Sequence, residues 1–155
     1  MIIDSHCHYI PAKVAEQTTF YRQGWSDINA LLSFMSAHAL DRALLVYPTT
    51  DAHAKMGWDQ LCMTYNQEMA DVQRAHGDKF IISGIVPLQP TPEGLLYHLK
   101  TIEKCKFPGI SVASSCEGRF LDDAYFRDLF VFCQRNGLFL YVHPQTANPI
   151  GFERV

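Results

Sequence analysis

Two histidines separated by one residue lie near the start of the chain, in the stretch Asp-Ser-His-Cys-His at positions 4–8. In a β-strand, residues i and i+2 point to the same side, so we expect His6 and His8 to project together, with Asp4 on the same face. Two imidazoles placed in this way can bind one metal ion at about 2.0–2.1 Å per zinc–nitrogen bond. The pair predicts half of a metal site, although two histidines this close together also occur by chance.

A third histidine ends a separate apolar run. His143 follows the stretch Leu-Phe-Leu-Tyr-Val at positions 138–142, which predicts a strand, and Pro144 comes next. The carboxyl ends of parallel strands form the edge at which α/β proteins place their active sites. The three histidines together therefore predict a catalytic metal site with an open position. The alternative for His143 is a core or loop histidine that hydrogen-bonds to the backbone.

Strand-like and helix-like segments alternate along the chain and must position these histidines. The apolar runs predict five strands, at residues 2–6, 41–48, 79–87, 109–114 and 138–144. Amphipathic stripes between them predict helices. Their predicted boundaries are an N-cap at Ser26, a helix over residues 58–75 that Gly77 closes, a start at Thr91-Pro92-Glu93, an N-cap at Asp122 and an end at Gly137.

This alternation predicts a single α/β domain over residues 1–155. Near-continuous apolar strands are typical of a parallel sheet covered by helices. Both a doubly wound sheet and a TIM-type barrel fit the pattern. A full (β/α)₈ barrel needs about 250 residues, so five strands would form only part of one.

The composition is that of a globular protein and argues against several classes of partner. Apolar residues make up 48% of the 155 residues, charged residues 19%, and the formal net charge is −3. An acidic balance without a basic run gives no reason to expect nucleic acid or an anionic membrane as a partner. Five cysteines without a C-x-x-C pair indicate reduced thiols. With neither a signal-peptide pattern nor an apolar run of about 18 residues, the sequence predicts a soluble, cytoplasmic protein.

Several segments resemble those of a known family. MIIDSHCHYIP resembles the first-strand H-x-H signature of the amidohydrolase superfamily. HGDKFIISGIVPLQ, GISVASSCEGRFLDDAYFRDLFVFC and GLFLYVHP are similar to successive segments of its amidohydrolase-related branch, which includes aminocarboxymuconate-semialdehyde decarboxylase. The resemblance extends over essentially the whole chain. It implies a distorted TIM barrel, of which this chain is the N-terminal part with about five βα units, and one divalent metal, usually zinc, at the barrel mouth.

The resemblance also implies roles for individual residues. His6 and His8 match the first-strand ligands, and His143 matches the fifth-strand ligand. Asp4 matches the acid that commonly precedes the pair, either as an outer partner of an imidazole N–H or in a structural role. Some members bridge two metals with a carbamylated lysine on the fourth strand, but GISVASS has no lysine, which favours a mononuclear site. The family's sixth-strand histidine and eighth-strand aspartate have no match here, so no residue is assigned to general acid–base catalysis.

Other residues near the same edge are weaker candidates. Arg119 is a candidate for binding a substrate carboxylate through two hydrogen bonds, with a solvated loop arginine the favoured alternative. His53 is a candidate for contact with substrate or metal, with a surface histidine favoured. Trp25 and Trp58 are expected to pack rather than to stack on a ligand, and Cys7 is not expected to act as a nucleophile.

Three functions are compatible with these features. The leading one is a metal-dependent hydrolase or decarboxylase that acts on a small organic acid or amide, through a metal-activated water or a metal-polarised carboxylate. A TatD-like metal-dependent nuclease has a similar first strand, but the acidic net charge and a fourth strand without glutamate weaken this alternative. The third is a truncated half-barrel without catalysis, whose open first and fifth strands need further chain or a partner. Because such edges pair readily, we expect a homo-oligomer.

Overall fold

The computed structural model describes residues 1–18, 24–48, 57–87, 92–116 and 119–143. In chain order its elements are β1 (Ile3–Cys7), α1 (Ala12–Ala15), α2 (Ile28–Ala37), β2 (Arg42–Leu45), α3 (Trp58–His76), β3 (Phe80–Ile85), α4 (Pro92–Cys105), β4 (Gly109–Ala113), β5 (Ser115–Cys116), β6 (Arg119–Phe120), α5 (Arg127–Asn136) and β7 (Phe139–His143). The predicted alternation is confirmed, and the short helix α1 and the strands β5 and β6 are additions to it. None of the described helices is long and apolar enough to cross a membrane.

Five parallel strands form one sheet in the order β1-β2-β3-β4-β7. The strands of this sheet therefore follow one another in chain order, whereas a doubly wound sheet reverses its order at a switch point. Of the two architectures that fit the sequence, the barrel type is confirmed. The strands β5 and β6 form a separate antiparallel hairpin directly after β4.

The sheet is curved into a trough. With strands about 4.8 Å apart, the edge strands of a flat five-stranded sheet would lie roughly 19 Å from each other. The rings of His6 in β1 and Tyr141 in β7 nevertheless have centroids only 5.6 Å apart. Two side chains do not close such a gap unless the sheet bends, so the two edge strands face each other across its concave side.

The core lies between the convex side of the sheet and the helices α3 and α4. Gly84 in β3 packs directly against this layer. A Cβ atom at this position would lie only 2.9 Å from the side chains of both Ile102 and Phe107. Fully buried side chains of the central strands and of α3 fill the same layer: Ala43, Leu45, Ile82, Ile110, Leu61, Tyr65 and Met69. Each large aliphatic or aromatic side chain buried in this way contributes about 1.5–3 kcal/mol.

Buried polar side chains tie the central strands together. Asn66 of α3 donates to the carbonyl of Ile85 and accepts from its N–H, both at 2.9 Å. The Ser83 hydroxyl donates to the carbonyl of Leu45 at 2.8 Å, so the hydroxyl of Ser111, 2.6 Å away, donates to Ser83. A buried polar group that loses its partner costs about 1–3 kcal/mol. These bonds therefore fix the position of α3 and the alignment of β2, β3 and β4.

The start of α2 corrects one prediction. Asp27 is the N-cap, and its carboxylate accepts from the N–H of Ala30 at 2.9 Å. Ser26, the predicted N-cap, instead donates its hydroxyl to the carbonyl of Ile10. Serine and aspartate are similarly good N-caps, so their order in the sequence does not show which of them caps the helix.

The boundaries of the later helices agree with the sequence in part. Pro92 begins α4 with Glu93 in its first turn, as predicted, whereas Thr91 lies outside the described residues. Gly137 ends α5, as predicted, and it has a left-handed conformation with φ +65°. The prediction that Asp122 caps α5 is wrong, because a 3₁₀ turn at Ala124–Phe126 comes between them and Phe126 occupies the N-cap.

Gly77 ends α3, as predicted, but it does so without a left-handed residue. Its φ is −66°, within the right-handed region. A Cβ atom at this position would lie 2.7 Å from the backbone oxygen of Gln73. The lack of a side chain, rather than a positive φ, is therefore what this helix end requires.

Candidate metal centre

Three histidines converge at the carboxyl ends of the two edge strands. His6 lies in β1, His8 follows directly after it, and His143 is the last residue of β7. One ligand nitrogen from each of the three side chains lies within 4.8 Å of the other two. The structure thus brings together the residues that the sequence offers as metal ligands, while their role as ligands stays a prediction.

A β-bulge in β1 lies between Asp4 and Cys7 and includes His6. In the pairing of β1 with β2, Asp4 lies opposite Ala43 and Cys7 opposite Leu45, so β1 has one residue more than β2 between them. The extra residue interrupts the alternation of faces that groups Asp4 with His6. The Asp4 carboxylate accepts instead from the backbone N–H of His6 at 3.0 Å. Among the described contacts, the Asp4 carboxylate therefore supports the backbone of His6, and its role toward the imidazoles stays a prediction.

A backbone carbonyl fixes the protonation of His8. Its Nδ1 lies 2.9 Å from the carbonyl oxygen of Val46, just beyond β2. Because a carbonyl can only accept, Nδ1 has the hydrogen and Nε2 is bare. Burial lowers the pKa of His8 below its ordinary value; the bond to Val46 opposes this shift, and the neighbouring His6 and His143 add to it. The ring is therefore neutral at neutral pH, which is the form of histidine that binds metals.

His6 has a partner at each ring nitrogen. Its Nε2 lies 3.1 Å from Nε2 of His8, and its Nδ1 lies 2.7 Å from the hydroxyl of Tyr141 in β7. Burial and then the charge of Asp4 raise the pKa of Tyr141 above its ordinary value, so this side chain is a phenol at neutral pH. Tyr141 is absent from the sequence-based candidates. The spacing that groups His6 with His8 would have found it, since Tyr141 precedes His143 by two residues in the same strand.

The strand β4 positions the third histidine. Ala113 lies opposite His143 in the parallel pairing, and the N–H of Ser114 donates to the His143 carbonyl at 2.9 Å. The ring centroids of the three histidines are 4.7, 5.3 and 5.5 Å apart. No described Asp or Glu joins the group, so general acid–base catalysis has no assigned residue within the described part of the chain.

The three side chains fit a single divalent ion. Two nitrogens bound to one ion at about 2.0–2.1 Å can be at most about 4.2 Å apart. The observed ligand atoms lie within 4.8 Å of one another, so small rotations of the rings suffice to reach that spacing. The Nε2 of His8 is bare, and the other two histidines are exposed or half-exposed. An ion can therefore reach the three side chains from solvent.

A cleft of about 430 Å³ opens beside His6 and His8. Trp25 and Phe34 also line it, and the ring centroid of Trp25 lies 4.8 Å from that of His8. Trp25 also packs against the core, as does Trp58, so the prediction that both tryptophans pack is confirmed. The described lining of the cleft does not include His143. Two further cavities include none of the three histidines: one of about 410 Å³ lies between α4 and α5, and one of about 530 Å³ lies against α5 and the segment before it.

The weaker candidates receive no support from the described contacts. His53 lies outside the described residues. Arg119 begins β6, and its side chain lies outside the described part. Burial and then the charge of Asp4 raise the pKa of the Cys7 thiol to about 11. Cys7 is therefore protonated at neutral pH, in agreement with the expectation that it is not a nucleophile.

Comparison with known proteins gives the family. The model of the family described as amidohydrolase matches residues 3–153. The 2-amino-3-carboxymuconate-6-semialdehyde decarboxylase of Dictyostelium discoideum is 29% identical over 84 residues, which are 54% of this chain and 23% of that protein. This chain thus matches only a small part of the curated relative, in a family of hydrolases and decarboxylases.

Solved structures give the fold. The 5-carboxyvanillate decarboxylase of Sphingomonas paucimobilis matches with a TM-score of 0.77 and 18% identity, over 93% of this chain and 52% of that one. The 5-carboxyvanillate decarboxylase of Novosphingobium aromaticivorans, solved with bound manganese, matches with a TM-score of 0.68 and 19% identity, over 93% and 51%. The chain spans about half the length of these proteins, and its five parallel strands form half of a TIM-type barrel. The family match over nearly all residues, on this half-barrel fold, shows that the chain belongs to the amidohydrolase family.

Proposed function

We propose that this chain is half of a metal-dependent decarboxylase or hydrolase, in which His6, His8 and His143 bind one divalent metal. The main support is the convergence of three imidazoles, with ligand nitrogens within 4.8 Å of one another, from opposite edges of one curved sheet. His8 already has the arrangement of a metal ligand, because its Nδ1 donates to Val46 and its Nε2 is bare.

Zinc is the proposed metal. Three imidazoles with an open position are a ligand set typical of catalytic zinc, and manganese, bound in one structural relative, is the second candidate. Such an ion lowers the pKa of a bound water to about 7 or polarises a carboxylate oxygen. The fourth strand, Gly109–Ala113, has no lysine that would bridge a second ion, so we propose a mononuclear site.

The proposed substrate is a small organic acid that loses a carboxylate. The relatives described above are decarboxylases of carboxymuconate and carboxyvanillate compounds, which supports decarboxylation ahead of amide hydrolysis. Trp25 and Phe34 give the cleft beside His6 and His8 an aromatic wall, which suits an unsaturated or aromatic acid. These relatives and the net charge of −3 favour this function over a TatD-like nuclease.

We also propose that residues 1–155 form a single cytoplasmic domain that reaches full activity only when the barrel is closed by further chain or by a partner. Within the described residues, β1 and β7 each have an unpaired edge. Exposed apolar side chains lie on these strands and on the helices beside them: Ile2, Ile3, Phe34, Phe130 and Val142. Unpaired edges and apolar flanks of this kind favour association. By itself the chain is therefore expected to form homo-oligomers.

Metal content tests the ligand assignment. We expect about one zinc ion per chain in the wild type after dialysis, measured by elemental mass spectrometry, and loss of that ion in His6→Ala. His38→Ala is the matched control, because His38 follows α2 at an exposed position and contacts Phe34 rather than the histidine cluster. Equal zinc content in His6→Ala and the wild type would contradict the assignment of His6.

Association has its own test. Light scattering coupled to size-exclusion chromatography should give a mass above that of one chain, 17.6 kDa. A monomer that melts cooperatively would contradict the proposed oligomer without affecting the metal site.

A further inference from the structure

The hydrogen bond between Tyr141 and His6 joins the two edge strands at a proposed metal ligand. We propose that Tyr141 is a positioning residue for His6: when a metal is bound, the phenol oxygen accepts the Nδ1 hydrogen of His6 and so supports the tautomer whose bare Nε2 faces the metal. The inference rests on the proposed function, because it requires His6 to be a ligand. The contact that supports it is the 2.7 Å separation between the Tyr141 hydroxyl and His6 Nδ1.

His6 in β1 and His8 directly after it differ in how their protonation is controlled. The partner of His8 is the Val46 carbonyl, an acceptor only, so His8 has a single tautomer with the hydrogen on Nδ1. The partner of His6 Nδ1 is a hydroxyl, which can either donate or accept. The tautomer of His6 is therefore determined by what its other nitrogen contacts.

Two proton arrangements satisfy His6. Since His8 Nε2 is bare, its 3.1 Å contact with His6 Nε2 is a hydrogen bond only when His6 has the hydrogen on Nε2, and Nδ1 then accepts from Tyr141. When both Nε2 atoms are bare and turned to a cation, the hydrogen lies on Nδ1 and Tyr141 accepts it. A single hydroxyl serves both arrangements, whereas a carbonyl would serve only the second and a phenylalanine neither.

The sheet holds the hydroxyl in place for this role. Tyr141 lies opposite Ser111 in the pairing of β7 with β4, and its ring meets that of His6 edge to face with an interplanar angle of 90°. Because β1 and β7 are the two edges of the sheet, this bond also sets the distance between His6 and the strand that bears His143. Removal of the hydroxyl oxygen is thus expected to leave the tautomer of His6 less defined and the distance between His6 and β7 more variable.

The test compares zinc affinity in the wild type, Tyr141→Phe and Tyr97→Phe. Tyr97 is the matched control, since it lies on α4 with 57% of its surface exposed. Competition with a chromogenic chelator at fixed pH should show binding about 10–100-fold weaker in Tyr141→Phe, the range found when outer partners of metal ligands are removed. The control should bind as the wild type does. Melting curves in excess chelator check that both variants are folded.

Spectroscopy gives a second readout, independent of the affinity measurement. Long-range ¹H–¹⁵N spectra of the zinc-loaded wild type should show His6 with a protonated Nδ1 and a metal-bound Nε2, and zinc-free protein should show the hydrogen on Nε2. Cobalt-loaded Tyr141→Phe should have an altered visible spectrum, which a purely structural role of Tyr141 would leave unchanged.

The outcomes separate this inference from the proposed function. If Tyr141→Phe binds zinc as tightly as the wild type, or if zinc-loaded His6 coordinates through Nδ1, the inference is overturned while the metal site stands. If the wild type binds no zinc, the proposed metal site fails and the inference fails with it.

Discussion

The central strands β2, β3 and β4 differ from the edge strands β1 and β7 in where their polar groups find partners. In the centre, Asn66 of α3 and Ser83 of β3 are buried and bond to neighbouring backbone, and the side chains that these strands contribute to the core cluster are apolar. At the edges, exposed His6 of β1 contacts half-buried Tyr141 and His143 of β7 across the trough. The centre thus supplies a rigid curved wall, and the edges supply the groups that can do chemistry.

This difference shows how half of a barrel can bring three candidate metal ligands together. The three histidines come from strands that are not neighbours in the sheet, so only the curvature of the centre brings them together. A metal bound between them would link the first strand of the sheet to the last. Stability and chemistry should therefore respond to substitutions in different strands.

The largest effect is expected from the centre. Ile110 in β4 is fully buried, whereas Val142 in the adjacent β7 is 45% exposed. Ile110→Ala should lower the free energy of unfolding by about 3–4 kcal/mol, because it removes buried methyl groups and leaves a cavity. Val142→Ala should cost less than about 1 kcal/mol, because much of that side chain is already in water.

Urea denaturation in excess chelator measures both changes. If Val142→Ala destabilised the protein as much as Ile110→Ala does, the expected difference in stability between centre and edge would be wrong. That result would mean that the outer face of β7 is covered in solution, as association through this edge would do.

The sequence was sufficient for the elements of the fold because the signals that define them are local. Apolar runs and amphipathic stripes fix which segments are strands and helices, and the boundaries of α3, α4 and α5 agree with them to within a few residues. The choice between a doubly wound sheet and a barrel depends on strand order, which these local patterns do not contain. The family resemblance supplied that choice in advance, and the order β1-β2-β3-β4-β7 confirmed it.

The contacts around the candidate site were harder to predict because they are not local. The bond between Tyr141 and His6 joins residues 135 positions apart, on strands that meet only through the curvature of the sheet. His8 contacts the backbone carbonyl of Val46, and a contact with the backbone does not depend on the residue type, so the sequence does not indicate it. The bulge after Asp4 changes the face alternation by one residue, and the sequence around it contains no glycine or proline to mark it.

A metal-dependent effect of intermediate size is expected at the edges. With zinc at 100 times its dissociation constant, binding should stabilise the wild type by about 2.7 kcal/mol. His143→Ala should lose most of this gain, because only the ligands of β1 would remain. In chelator the same variant should differ from the wild type by less than about 0.5 kcal/mol, since His143 is only half-buried at an edge.

Denaturation with zinc and denaturation with chelator give the zinc-dependent gain in stability and the stability without metal. Both are measured for the wild type, His143→Ala and the control His38→Ala. A full zinc-dependent gain in His143→Ala would show that the two edges are not linked by the metal. In His38→Ala, by contrast, we expect the full zinc-dependent gain, because His38 follows α2, away from the cluster.

The smallest effect concerns Asp4 and decides between the two roles that its position suggests. Its carboxylate accepts from the His6 N–H that the bulge places beside it, so Asp4→Ala should cost about 1 kcal/mol of stability in chelator and weaken zinc binding a few-fold. Asp4→Asn keeps an oxygen at the same place and should cost less than about 0.5 kcal/mol, with zinc affinity close to that of the wild type. Chelator competition and urea denaturation measure both.

If Asp4→Asn instead loses as much zinc affinity as Asp4→Ala, the negative charge matters more than the backbone bond. Asp4 would then act on the imidazoles or the ion electrostatically, and the edge would depend on charge as well as on the geometry that the bulge provides.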